Sequence, residues 1–170
     1  MTATEILAID PGSTESAWLV YRPDQRLIRS FGKHSNDMLL AMMTGWAESM
    51  KAGGCVLVVE MIASYGMPVG REVFETCAWI GRYVQAWDGP YSLLYRREVK
   101  LHLCGSPRAK DSNIRQALLD KFGPQGTKAA PGMTYGIKAD IWAALAVAAT
   151  FVETGCKVVR LGASPEGTAA

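Results

Sequence analysis

Histidine and cysteine are scarce in this chain, and neither is spaced to hold a metal. His34 and His102 stand alone and far apart, which excludes a zinc site of the usual spacing and leaves them surface or capping roles. Cys55, Cys77, Cys104 and Cys156 form no CxxC pair, so they read as reduced core thiols rather than as a disulfide framework. No uninterrupted apolar run approaches the roughly 20 residues that span a bilayer. The longest candidate, Ile141 to Val152, reads as a core helix. The N-terminus lacks the basic flank and apolar h-region of a secretory signal, so the expected compartment is the cytoplasm. Nothing points to a membrane or to an organic cofactor.

What remains is a chain of 170 residues, 49% apolar and 20% charged, enough for one domain with a substantial core. Its organising stretch is Glu5-Ile-Leu-Ala-Ile-Asp10-Pro-Gly-Ser-Thr14. A short apolar run ends in a carboxylate, and Pro11 and Gly12 then force a turn. Cys55 to Glu60 repeats the pattern: a second apolar run behind Gly53-Gly54, again ending in an acid. The third place is Asp140, expected in the first turn of the Ala-rich helix that follows it.

Singly, each acid has a plain explanation: a capped turn, a solvated strand end, a favourable charge on a helix dipole. Together they stand at the edges of three hydrophobic elements, and packing those elements makes the carboxylates converge. Converging carboxylates repel and need cations at neutral pH. Hard oxygen ligands without His or Cys select Mg²⁺ or Mn²⁺.

Taken in order, the chain reads as three strands (5–10, 16–21 and 26–32) in an antiparallel meander. A helix over 38–51 follows, capped by Asn36 or Asp37, with Leu39, Met42, Met43, Trp46 and Met50 on one face. Strand four covers 55–60. A Gly- and Pro-rich loop offers Tyr65 and Met67 as exposed apolar groups. Next come a long helix over 71–87 carrying Val73, Cys77, Ile80 and Val84, strand five over 91–95, and one or two helical turns near 99–103. Asp111 or Ser112 caps a further helix, and a long loop leads to a last helix over 138–154. The order β-β-β-α-β-α-β-α-α predicts an α/β domain, with a five-stranded mixed sheet and helices on both faces. Strand one is central with strand four beside it, which brings Asp10 and Glu60 together. The domain is expected over residues 1–155, with a flexible tail over 156–170.

Charge is uneven although the net charge is only +2. From Arg96 to Lys138 there are nine Lys/Arg against three acids, whereas Met1 to Tyr95 holds seven against ten. A basic segment beside an acidic cluster suits a polyanion handled with divalent cations; an ordinary solvated face is the alternative.

With these residues in view, the chain resembles the RuvC-like Holliday junction resolvases of the ribonuclease H-like superfamily, in the compact phage or prophage branch. The matching pieces are Leu7-Ala-Ile-Asp-Pro-Gly-Ser13, Val58-Val-Glu60, Val99-Lys100 with Gly105 and Lys110, and Ala139-Asp140 before the Ala-rich helix. The resemblance implies Asp10, Glu60 and Asp140 as metal ligands, with Lys100 and Lys110 contacting phosphate or supporting the site. It implies a homodimer built on the helix from Arg71, branched DNA as partner and, for a phage-encoded protein, the bacterial host cytoplasm. Many members carry a fourth acid or a His where this chain has Ile137, and Lys138 beside it is a candidate phosphate contact. The aromatic wedge of many members falls here on Ala63, so Tyr65 or Met67 is the candidate replacement.

The function these readings predict is a structure-specific DNA endonuclease. It would cut four-way or branched junctions to 5′-phosphate nicks with two Mg²⁺ ions about 4 Å apart, bridged by Asp10. Lys110 would offset charge at the phosphorus, and Tyr65, Arg96, Arg97, Lys100, Arg108, Arg115 and Lys138 would contact DNA. The alternatives are a ribonuclease H-type nuclease acting on RNA–DNA hybrids with the same acids, and a non-catalytic binder of DNA structure.

Overall fold

A computed structural model describes residues 3–160. Its strands are β1 (Glu5–Asp10), β2 (Glu15–Arg22), β3 (Leu27–Ser35), β4 (Cys55–Met61) and β5 (Tyr91–Tyr95). Its helices are α1 (Asn36–Ala52), α2 (Arg71–Trp87), α3 (Arg96–Cys104), α4 (Asp111–Phe122) and α5 (Ile141–Thr154). One five-stranded sheet runs β3-β2-β1-β4-β5. The first three strands pair antiparallel, while β4 runs parallel to both β1 and β5. The mixed sheet read from the sequence is therefore the sheet observed, with β1 at its centre.

Successive side chains of a strand point to opposite faces, and β1 divides its residues accordingly. Ile6 and Ala8 enter the core beneath α5, whereas Leu7 and Ile9 enter the core beneath α1 and α2. In β4, Val56 and Val58 join the α5 side, and Leu57 and Val59 the other. Alternation carries Asp10 and Glu60 onto the α5 face. Helix α5 is buried almost all round, with Ala144, Ala146, Ala148 and Ala149 at 0–1% exposure. Small side chains let its backbone lie close to the sheet, so enlarging one would overpack the core by about 1–3 kcal/mol.

Several boundaries depart from the sequence reading. Strand β3 runs on to Ser35, which caps α1 in place of Asn36 or Asp37: Ser35 Oγ accepts from Met38 N at 3.4 Å. On α2 the buried face is Thr76, Ile80, Tyr83, Val84 and Trp87, and Cys77 is only half-buried. The turns expected near 99–103 are a nine-residue helix, α3, which adds an element to the order; Glu98 Oε2 anchors its start by accepting from Tyr95 N at 2.8 Å. Lys110, not Asp111 or Ser112, is the cap position of α4. Helix α5 starts at Ile141 rather than Lys138, because Ala139 has φ of +42° and interrupts the helical backbone. Asp140 is thus the cap position of α5, outside its first turn.

All four cysteines are free, but only Cys55 is fully buried. Burial first and Glu5 second push its thiol up to about 12, as expected of a packing residue. His34 accepts from the indole of Trp18 at 2.9 Å, and His102 pairs with Glu153 at 2.8 Å. Among the described residues no helix is long and apolar enough to cross a membrane. Val159 exchanges two backbone hydrogen bonds with Tyr91, at 2.9 and 2.7 Å. The last ten residues of the expected tail lie outside the described residues.

Candidate active site at the carboxyl ends of the central strands

β1 and β4 both end in an acid at the same edge of the sheet. The parallel register places Ile9 opposite Val59, so Asp10 and Glu60 are the next positions on adjacent strands. Neighbouring strands lie about 4.8 Å apart, which makes the two carboxylates near neighbours on one face. Glu60 is 5% exposed. Asp140 reaches the same edge from the start of α5, which packs on β1, β2 and β4.

The electrostatics record this convergence. Burial, then Glu60, raise the Asp10 carboxyl to about 8, with smaller contributions from Asp140 and Asp111 and an opposing pull from Arg96. Burial also raises Glu60, against the attraction of Arg96. Arg96 is the first residue after β5 and lies against the end of β4. Its Nη1 donates to Glu60 Oε1 at 2.9 Å and its Nη2 to Asp111 Oδ1 at 2.6 Å. Asp140 is exposed and is held by Lys33 of β3, whose Nζ lies 2.8 Å from Asp140 Oδ2 and 3.4 Å from Glu15 Oε2. Among the described residues no three His, Cys, Asp or Glu side chains form a group able to hold a metal ion. The acids share an edge, with Glu60 paired to Arg96 and Asp140 to Lys33.

A divalent cation suits this edge by donor chemistry. Every candidate ligand is a hard oxygen, and burial first, then Glu60, push the Asp10 carboxyl up to about 8 against the pull of Arg96. Asp10, Glu60 and Asp140 are the residues that would hold it.

The other sequence-predicted residues fall into four groups. Lys100 stands near enough to favour the ionised form of Glu60. Lys110 and Arg108 are exposed on the loop entering α4, where Lys110 N donates to Asn113 Oδ1 at 2.9 Å. Beyond the strand ends, the Arg97 guanidinium lies 5.6 Å from the Tyr65 ring centroid. Tyr65 is 57% and Met67 72% exposed. Arg115 and Lys138 line a cleft of about 450 Å³ with Tyr135 and Trp142, and the Arg115 guanidinium sits 5.3 Å from the Trp142 ring centroid. Ile137, at the place of a fourth family ligand, is buried apolar core at 2% exposure.

Sequence reasoning missed Lys33 and the pairing of Arg96 with Asp111. An alternating strand pattern could have put Lys33 on the α5 face beside Ala17, its register partner. Nothing local could have aimed Arg96 at two acids 36 and 15 residues away.

No protein-family model matches the chain, and no curated protein sequence does. Solved structures do. A Thermus thermophilus RuvC structure superposes with a TM-score of 0.64 at 15% identity, covering 89% of this chain and 96% of that one. A second T. thermophilus RuvC, solved in complex with a Holliday junction substrate, gives 0.60 at 13% identity, covering 92% and 99%. At such identities the likeness speaks to architecture alone, and on that count this chain has the RuvC-like form of the ribonuclease H-like fold.

Proposed function

We propose that the protein is a metal-dependent endonuclease acting on branched DNA. The observation that carries this reading is the meeting of Asp10 and Glu60 on one face at the carboxyl ends of β1 and β4, with Asp140 arriving at the same edge. A fold shared with RuvC, one copy of which was solved on a Holliday junction, supports the choice of substrate.

When bound, the divalent ions would supply a water acidic enough to attack a phosphodiester and a charge to stabilise the leaving oxygen. Asp10, Glu60 and Asp140 would hold them. Lys110 and Lys100 offset the negative charge that gathers on the phosphate. Arg115 and Lys138 hold backbone phosphates along their cleft, and Arg97 with Tyr65 offers a flat cationic surface to an unstacked base. Arg108 adds a further phosphate contact. Arg96 serves the acids first, since both ends of its guanidinium are engaged. Two copies joined through α2, whose Phe74 is 65% exposed, would present two such edges to the two-fold axis of a junction.

The test is incubation of the protein with labelled four-way junction, flap, duplex and RNA–DNA hybrid, with Mg²⁺ or with chelator. Paired symmetric nicks in the junction alone are expected. Cleavage of the hybrid instead would assign the chain to ribonuclease H chemistry. One observation favours a second reading, that of a non-catalytic junction binder: Arg96 and Lys33 already pair with Glu60 and Asp140. Junction binding insensitive to Mg²⁺ beyond screening, with no cut in any substrate, would establish it.

A further inference from the structure

We propose that Asn36 and Tyr83 are positioning residues that fix the turn after Asp10 and so set where its carboxylate points. The inference rests on the nuclease reading for its kinetic consequence and on hydrogen-bond geometry for everything else.

Residues 11–14 have no regular structure, yet they must hold the end of β1 still. The backbone groups of Gly12 are both taken. Its N–H donates to Ser16 Oγ at 3.3 Å, and its carbonyl accepts from Asn36 Nδ2 at 2.9 Å. Asn36 also donates its backbone N–H to Thr14 O at 2.9 Å. Asn36 is free for this because Ser35 does the capping of α1.

Behind Asn36 stands a triad of oxygens. Ser16 Oγ donates to Asn36 Oδ1 at 2.7 Å, Tyr83 Oη donates to the same oxygen at 3.0 Å, and the two hydroxyls lie 3.1 Å apart. Three edges share two hydroxyl protons, so with both directed at Oδ1 the third edge is a contact without a proton. The amide orientation follows: with its oxygen and nitrogen exchanged, Asn36 would set oxygen against the Gly12 carbonyl. Ser16, Asn36 and Tyr83 are 0–1% exposed. Each comes from a different element, β2, α1 and α2, and they converge two residues beyond Asp10.

Buried polar groups are favourable only when fully paired, and a paired network of this kind enforces one geometry. Gly12 leaves no slack, because a Cβ there would meet Glu15 O at 2.4 Å. The turn is therefore clamped from behind by side chains and from within by backbone. Tyr83 also ties this clamp to the rest of α2: its ring lies tilted against Trp79 with centroids 5.9 Å apart, and the Arg82 guanidinium sits 4.0 Å from the Trp79 ring centroid.

The test uses the full chain with Tyr83→Phe and Asn36→Ala, and Thr76→Val as control; Thr76→Val removes a buried hydroxyl from α2 that bonds only within its own helix. Amide exchange at residues 12–14 and Mn²⁺ binding are measured together with junction cleavage. Asn36→Ala is expected to weaken Mn²⁺ binding about tenfold, the usual effect of losing a group that orients a ligand. It should also speed exchange in the turn by about the same factor and lower kcat with KM unchanged. Tyr83→Phe should move the same readouts in the same direction by less, and Thr76→Val should move none. If Asn36→Ala fails to fold, Tyr83→Phe decides. Turn exchange and Mn²⁺ binding as in wild type in Tyr83→Phe and every folded Asn36 variant would overturn the proposal. A wild type that cuts nothing would overturn the nuclease reading instead, leaving the exchange measurement to judge the clamp.

Discussion

The central pair of strands carries a buried glutamate at each end, and the two are treated differently. Glu5 opens β1 at 7% exposure and Glu60 lies near the end of β4 at 5%. Both meet arginine at ordinary distances. Glu5 has two: Arg22 Nε at 2.8 Å and Arg29 Nη1 at 3.2 Å. Glu60 has one, and it is shared with Asp111. At the amino end of the sheet the nearby cleft of about 370 Å³, lined by Glu5, Asp24, Arg22 and Arg29, holds equal numbers of acids and bases. At the carboxyl end, among the described residues, the ion-pair partners of Asp10, Glu60, Asp111 and Asp140 are Arg96 and Lys33 alone. Burial of a carboxylate alone therefore does not mark a site. The proposed function rests instead on an unbalanced cluster at the carboxyl ends of parallel strands, the edge where open α/β sheets bind their ligands.

The strongest way to break this contrast is Asp10→Asn. Cleavage of a junction should fall to background while junction binding persists. The same change should raise stability in metal-free buffer at neutral pH. Burial first and Glu60 second push the Asp10 carboxyl up to about 8 in the fold from an ordinary value of 3.8, so between those values the folded state binds the extra proton. Stability linked to Asp10 is then fully present below about pH 4 and lost as pH rises through 8. Asn carries no such loss. Thermal melts from pH 5 to 9 should show the wild type falling relative to Asp10→Asn. Parallel curves would mean that Asp10 is not held in its acid form.

Replacing each glutamate by glutamine compares the two ends directly. Glu5→Gln strands two guanidinium groups beside a neutral amide and should cost about 1.5–3 kcal/mol, the range for a hydrogen bond to a charged group. Glu60→Gln removes one carboxylate from an acid-rich edge. It should leave metal-free stability at pH 8 nearly unchanged while weakening Mn²⁺ binding. Equal destabilisation by the two variants would erase the distinction between them.

Much of this was legible in the sequence because it rests on short-range pattern. The short apolar runs in Glu5–Asp10 and Cys55–Glu60 set both strands, and the terminal acids fall on one face by parity alone. The Ala-rich run predicts a helix buried on all sides. Other features depend on chain ends meeting in space. Asn36 reads as a helix cap, and its true partner, the Gly12 carbonyl, is fixed only once β3 runs on to Ser35. Tyr83 sits one place before Val84 in the apolar stripe of α2, where its hydroxyl gives no periodic signal. Arg96 opens a basic segment and so reads as a phosphate contact, although the fold turns it inward onto Glu60. The start of α5 at Ile141 follows from a left-handed Ala139, a conformation that alanine does not announce.

The smallest expected effect, and the sharpest probe of the carboxyl edge, comes from Lys33→Met. The substitution keeps the aliphatic stem on β3 and removes the ammonium 2.8 Å from Asp140. The Lys33 and Asp140 side chains are 39% and 52% exposed, so the pair should contribute no more than about 1 kcal/mol to the fold. A melt within a few degrees of wild type is expected, since about 1 kcal/mol moves the midpoint of a domain this size by about 2–4 °C. The hydrogen bond to Asp140, first among its causes, raises Lys33 above its ordinary range, and on the proposed function a metal ion would compete with Lys33 for the same Asp140 oxygens. Removing the competitor should tighten Mn²⁺ binding by at most about fivefold, the factor matching about 1 kcal/mol. The comparable deletion at the other end, Arg22→Met, leaves Glu5 buried with one arginine and should cost more stability without touching Mn²⁺ affinity. Weaker Mn²⁺ binding in Lys33→Met would show that Lys33 places Asp140 for the ion rather than withholding it.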